Sequence, residues 1–143
     1  MTTKALIKSV LEKWGFPVVN ENECSIAFRY QMSYVQANVS DNDDSNAVAL
    51  TLSGVFTADN EIETLMGLRT CNALNFELMQ VKLYLDSDDE LIIASEFFFK
   101  TEDDMEHLLK MALQSLIIGK VRFTRKYPEI EEEAKLLSEL EQE

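Results

Sequence analysis

The chain has 143 residues, 46% of them hydrophobic, and a formal net charge of −13 from 26 acidic against 13 basic side chains. That length predicts one domain with a sizeable core, and the apolar content excludes an intrinsically disordered chain. The acidic excess repels nucleic acid and anionic lipid, so neither is expected as a partner, and basic or apolar protein segments suit such a surface better.

Residues 3–14 have the spacing of an amphipathic helix. Leu6, Ile7, Val10, Leu11 and Trp14 share one arc, Gly15 is placed for a C-terminal cap, and Pro17 forbids continuation. The helix follows directly on Met1-Thr-Thr-Lys4, so no signal peptide is read. No apolar run reaches membrane-spanning length, and Cys24 and Cys71 lack a secretory setting, so a soluble cytoplasmic protein with reduced thiols is expected.

Three strands are predicted next, over 24–30, 33–40 and 47–56, from the alternation of Ile26, Phe28 and Tyr30, of Val35, Ala37 and Val39, and of Val48, Leu50 and Leu52. The connectors Gln31-Met-Ser and Asp41–Asn46 are short enough for antiparallel neighbours. Residues 59–74 read as a second helix capped by Thr57 or Asp59. Ile62, Met66 and Ala73 mark one side of it, while Leu65 and Leu68 lie well round from them, a breadth that calls for neighbours on two sides. Two strands over 78–85 and 91–99 then flank the acidic turn Asp86-Ser-Asp-Asp-Glu90 as a hairpin. A helix from Glu102 to about Gly119 buries Met105, Leu108, Leu109, Ala112, Leu113 and Leu116.

Lys120-Val-Arg-Phe-Thr-Arg-Lys126 is the basic cluster of the chain. Pro128 opens an acidic segment in which Ile130, Ala134, Leu137 and Leu140 are spaced for a short amphipathic helix. The expected division is a domain over 1–126 and an acidic helical tail over 127–143. The tail is expected to dock on the back of the long helix, at Met111 and Ile118, or on a partner.

Side chains with the makings of a catalytic or metal site are missing from this pattern. His107, the one histidine, falls on the polar side of its helix, and the two cysteines are far apart, which makes a poor zinc set. Asp41-x-Asp43-x-Ser45 and Asp86-x-Asp88-x-Glu90 start like calcium loops, but Asn46 and Leu91 stand where glycine is required and Leu52 and Phe97 where glutamate closes the loop. Glycines 15, 54, 67 and 119 are isolated, so no phosphate-binding loop is present. No cofactor and no enzymatic activity are expected.

The order helix, three strands, helix, two strands, helix comes with Leu11-Glu-Lys-Trp-Gly-Phe16 near the start. Asn72-Ala-Leu-Asn75 precedes the hairpin, and Leu83-Tyr-Leu-Asp-Ser-Asp-Asp-Glu-Leu-Ile-Ile93 crosses it. Over residues 3–120 this resembles the bacterial YbjN family, whose fold is similar to that of the class I type III secretion chaperones. The resemblance implies an α+β fold with a five-stranded antiparallel sheet, a homodimer, and a non-enzymatic role in protein binding or regulation.

Two functional readings are carried forward. In the first, the chain is a dimeric chaperone-like module that binds an extended segment of another protein through the outward side chains of Tyr34, Gln36 and Tyr84. In the second, it is a structural or regulatory homodimer whose subunits meet through Ile62, Leu65, Met66 and Leu68.

Overall fold

The computed structural model describes residues 2–40 and 46–142. Among them the element order is α1 (Thr3–Trp14), β1 (Val18–Asn22), β2 (Ser25–Tyr30), β3 (Ser33–Val39), β4 (Ala47–Ser53), α2 (Glu61–Glu77), β5 (Lys82–Leu85), β6 (Leu91–Phe98) and α3 (Glu102–Glu141). The strands form one antiparallel sheet in the order β1-β2-β3-β4-β6-β5.

Local chemistry accounts for most element ends. The Thr2 side chain accepts the Ala5 N–H at the start of α1. At its end Gly15 takes φ 78° and Phe16 N–H returns to the Leu11 carbonyl, closing a left-handed cap that a Cβ would strain. Gln31 and Met32 both have positive φ, 47° and 64°, so β2 and β3 are joined by a two-residue turn of the tight hairpin kind built from non-glycine residues. Asp86 Oδ1 accepts the N–H groups of Asp88 and Glu90 and holds the turn between β5 and β6, while Asp89 turns the backbone at φ 60°. The segment Asp41–Ser45, the first of the two acidic loops, lies outside the described residues.

One face of the sheet carries Ile26, Phe28, Val35, Ala37, Val48, Leu50, Leu52, Leu83, Leu91 and Ile93, all buried. α1 packs on it with Leu6, Ile7, Val10 and Leu11, and α3 with Met105, Leu109, Ala112, Leu113 and Leu116. Burying each large apolar side chain contributes roughly 1.5–3 kcal/mol, so this single layer of contacts supplies the main driving force. α2 packs between α3 and β5. Lys13 pairs with Glu106 at 2.8 Å to tie α1 to α3, and the ammonium holds the Glu106 carboxyl below its usual range.

Three expectations are corrected. The sheet has six strands and not five, because Val18-Val-Asn-Glu-Asn22 forms an edge strand with most of its side chains in solvent. Such a strand needs little apolar content, so alternation does not reveal it. The cap of α2 is Asn60, whose side chain accepts the Glu63 N–H; Thr57 is instead engaged in a bridge with Glu90, and the Asp59 N–H is held by the Glu63 carboxylate. The third concerns α3, which does not stop near Gly119 but runs unbroken for 40 residues through Pro128. Gly119 is buried inside it, where a Cβ would lie 2.8 Å from Ile93 Cγ2 and 3.2 Å from Val81 Cγ2. It is there to let α3 approach β6, and it ends nothing.

Beyond Gly119 the helix is held by packing that the charge pattern conceals. Phe123 and Tyr127 pack tilted against Phe56 at ring-centroid distances of 5.3 and 4.8 Å, and Ile130 is buried. The basic cluster is spread over several contacts, with Lys120 donating to the buried Ser33 hydroxyl and Arg122 and Lys126 pairing with Glu77. The segment 127–142 therefore continues α3 and does not fold back on Met111 and Ile118; Leu136, Leu137 and Leu140 remain exposed.

Candidate partner-binding surfaces

The second face of the sheet is left without a helix. Its side chains are set by strand alternation: Arg29 and Ala27 on β2, Tyr34, Gln36 and Asn38 on β3, Ala47, Ala49, Thr51 and Ser53 on β4, Ile92, Ala94, Glu96 and Phe98 on β6, and Lys82 and Tyr84 on β5. Register lines them up in rows. One row runs Ala27–Gln36–Thr51–Ala94–Lys82, and in the next Arg29 faces Tyr34, Tyr34 faces Ser53, and Tyr84 faces Ile92.

The middle strand β4 contributes only Ala, Thr and Ser to this face, while larger side chains stand on β3, β5 and β6. The result is a trough with a floor of small residues, walled by Tyr34 and Gln36 on one side and by Ile92 and Tyr84 on the other. Tyr34 and Tyr84 are separated by three strand spacings, about 14 Å. Both rings are partly exposed, at 39% and 40%. At one end the trough widens into a hollow of about 270 Å³ lined by Asn38, Ala47, Ala49, Glu96 and Phe98, the last 81% exposed.

The two edges of the sheet differ. The outer edge of β5 is occupied by the side chain of Asn75: its Oδ1 accepts the Leu83 N–H at 2.8 Å and its Nδ2 donates to the Leu83 carbonyl at 2.9 Å. The carboxamide thus stands in for a neighbouring strand, which blunts that edge. At the other edge Lys4 Nζ donates to the Asn22 carbonyl on β1.

α2 presents two apolar stripes. Met66, Gly67, Thr70, Cys71 and Leu74 are buried against the body, and Ile62, Leu65, Leu68 and Phe76 lie in solvent with Asn72 among them. Of the four residues singled out on this helix, Met66 therefore belongs to the inner stripe and the other three to the outer one. Phe76 and the neighbouring Met79, 92% and 86% exposed, extend this apolar surface and were not picked out in the sequence. Phe76 stands two helical turns beyond Leu68, a spacing that carried the signal.

A further cleft of about 660 Å³ opens between the start of α2 and the projecting end of α3, lined by Ile62, Met66, Pro128, Glu131, Glu132, Ala134, Lys135 and Ser138.

These surfaces hold no nucleophile in a reactive setting. Burial pushes the Cys71 thiol up to about 11, far from a thiolate at neutral pH, and His107 is exposed on α3. Among the described residues no cluster of three or more His, Cys, Asp or Glu side chains is arranged to hold a metal, and no helix is long and apolar enough to cross a membrane.

No family model matches the sequence, and no curated protein matches it. Solved structures do. YbjN from E. coli, for which a role in transcription regulation has been suggested, superposes with a TM-score of 0.63 at 11% identity, over 84% of this chain and 87% of that one. An uncharacterized protein from Methanothermobacter thermautotrophicus gives 0.62 at 13% identity over 88% and 96%. The Yersinia pestis type III secretion chaperone SycH, in complex with a stable fragment of YscM2, gives 0.54 at 16% identity over 83% and 97%. The helix-covered antiparallel sheet of this chain is the fold of YbjN and of the secretion chaperone SycH.

Proposed function

We propose that the chain is a non-enzymatic, chaperone-like module of the cytoplasm that binds an extended segment of another protein across the open face of its sheet. The observation that carries this reading is the trough itself. Small side chains on β4 let a partner backbone come close, and Tyr34, Gln36 and Tyr84 stand at its walls to take alternate side chains of an extended peptide. Support comes from SycH, a chaperone of the same fold that is seen with a fragment of a second protein.

The test is a photo-cross-linking residue at Gln36, with a control at Gln114 on the exposed side of α3, in tagged protein in its native cytosol. One abundant partner captured from Gln36 through a contiguous segment, and lost with Tyr34→Asp and Tyr84→Asp, is the expected result. Self-cross-links alone would overturn it.

A second reading, a structural or regulatory homodimer with no client, is favoured by the outer stripe of α2, where Ile62, Leu65 and Leu68 are 73%, 48% and 48% exposed. It predicts a dimer mass in light scattering at micromolar protein and a monomer for Leu65→Glu. A wild-type monomer refutes it.

A further inference from the structure

The cleft between α2 and the projecting end of α3 has an apolar floor and an acidic rim that come from different elements. Ile62 and Met66 on α2 meet Pro128 and Ala134 on α3 to make the floor. Glu131 and Glu132 rise from α3, and Glu61 and Glu63 stand in the first turn of α2. The Glu63 carboxylate is held in place by the Asp59 N–H at 2.9 Å. Glu63 and Glu131 also flank Tyr127, whose phenol is raised above its ordinary value by burial first and by these two carboxylates next. Lys135 is the one cation among the lining residues.

Charge decides between the occupants. A second copy of the α3 end would bring Glu131, Glu132, Glu133, Glu139 and Glu141 against the same set, whereas Glu129 already pairs with Lys126 at 3.7 Å and Lys135 is the one cation in the lining of each cleft. Like charges at this density oppose self-pairing and favour an oppositely charged guest. We infer that this cleft docks a basic amphipathic segment of a partner protein, which seats one or two aliphatic side chains on Ile62, Met66 and Ala134 while flanking Lys or Arg side chains meet Glu63, Glu131 and Glu132. The inference rests on the protein-binding reading and adds a second contact, on the helical side of the molecule, together with the chemistry of what binds there.

The experiment titrates the 143-residue protein into a fluorescein-labelled peptide of leucine and lysine, with leucines at i, i+3, i+4 and i+7. A scrambled peptide of the same composition and a leucine–glutamate analogue serve as controls. Binding of the patterned cationic peptide alone is expected, weakened about tenfold or more by Ala134→Arg and by Glu132→Lys and unchanged by Tyr84→Ala. Ala134 is half-buried and Glu132 exposed, so both variants should keep the wild-type melting temperature, which is measured alongside. Equal binding of the scrambled peptide, or affinity untouched by the two cleft variants, overturns the inference. Loss of binding with Tyr84→Ala in place of the cleft variants overturns it too, but leaves the open sheet face as the protein-binding site. Absence of binding overturns the cleft alone, since capture from Gln36 reads the sheet independently.

Discussion

Asn75 is where one side chain replaces a strand, and removing it should show how much that replacement is worth. Leu83 pairs with Ile93 on β6, and its own N–H and C=O both go to the Asn75 carboxamide, at 2.8 and 2.9 Å. Asn75→Leu keeps the branching at Cγ and removes both bonds. Each is worth about 0.5–1.5 kcal/mol net, and because Asn75 lies at the surface, water recovers part of the loss, so the cost should be about 1–2 kcal/mol. For a domain of this size that lowers the melting temperature by roughly 3–10 °C. The freed backbone pair also turns β5 into an open edge, so association that depends on concentration should appear in sedimentation.

Asn75→Asp separates the two bonds. A carboxylate still accepts the Leu83 N–H but cannot donate to the Leu83 carbonyl, and it sets two oxygens against each other. Near neutral pH it should be at least as damaging as leucine. The folded state favours the protonated acid, so the folded pKa lies above the unfolded one; the variant regains stability relative to wild type as pH falls through that folded value and loses it again as pH rises. Thermal melts and urea titrations at two pH values measure both effects. If Asn75→Leu stays within about 0.5 kcal/mol of wild type with an unchanged urea slope, water replaces the carboxamide freely and the edge is not held by this residue.

The remaining predictions address packing, turn and thiol. Gly119→Ala gains helix propensity but drives a Cβ to 2.8 Å from Ile93 Cγ2 in the closed core, so a net loss of about 1–2 kcal/mol is expected in urea unfolding, and a gain would mean that α3 shifts off β6 without cost. Replacing Gln31-Met32 by Asn-Gly relieves two positive-φ positions and should stabilise by about 1 kcal/mol; no change in melting temperature would show that the turn relaxes in solution. With an aromatic disulfide reagent at pH 8, Cys24 should label in the native protein and Cys71 only after unfolding, and prompt labelling of both would contradict the burial of Cys71. As the folded Cys71 thiol is raised from 9.0 to about 11, its contribution is complete below pH 9 and is lost as pH rises through 11, which an alkaline stability profile should show.

How far each element could be read in the sequence depended on whether one local rule governed it. α1 was legible because an apolar arc, Gly15 and Pro17 agree, and β2 to β4 because each buries alternate residues. β1 was not, since an edge strand with one half-buried residue has no alternation to show. α3 reads too short because Gly119 and Pro128 both look like stops, whereas packing of Phe123 and Tyr127 on Phe56 and burial of Ile130 carry the helix through them. Local propensity lost to tertiary contact there. The outward direction of Tyr34, Gln36 and Tyr84 follows from strand period alone, but their placement across the face from one another depends on β6 lying between β4 and β5, a non-local order that no single-strand pattern encodes. Met66 is buried with the inner stripe for a related reason: on a helix apolar on two sides, spacing gives the stripes but not which of them meets the body of the protein.

The two readings of function do not compete for the same atoms. The outer stripe of α2 lies on the helical side of the molecule, and the trough lies on the other side of the sheet. Dimerisation through Ile62, Leu65 and Leu68 would leave Tyr34, Gln36 and Tyr84 in both subunits free, so a dimer mass by itself says nothing against a client. The overlap is instead at Ile62, which belongs both to the outer stripe and to the floor of the acidic cleft. A dimer that buries Ile62 would close the cleft to a basic guest while leaving the trough open. Protein concentration is therefore the variable that separates the surfaces. If α2 pairs subunits, the leucine–lysine peptide should bind less tightly as the dimer forms, whereas capture from Gln36 should not change. Equal loss at both surfaces would mean that the subunits meet across the sheet, not through α2.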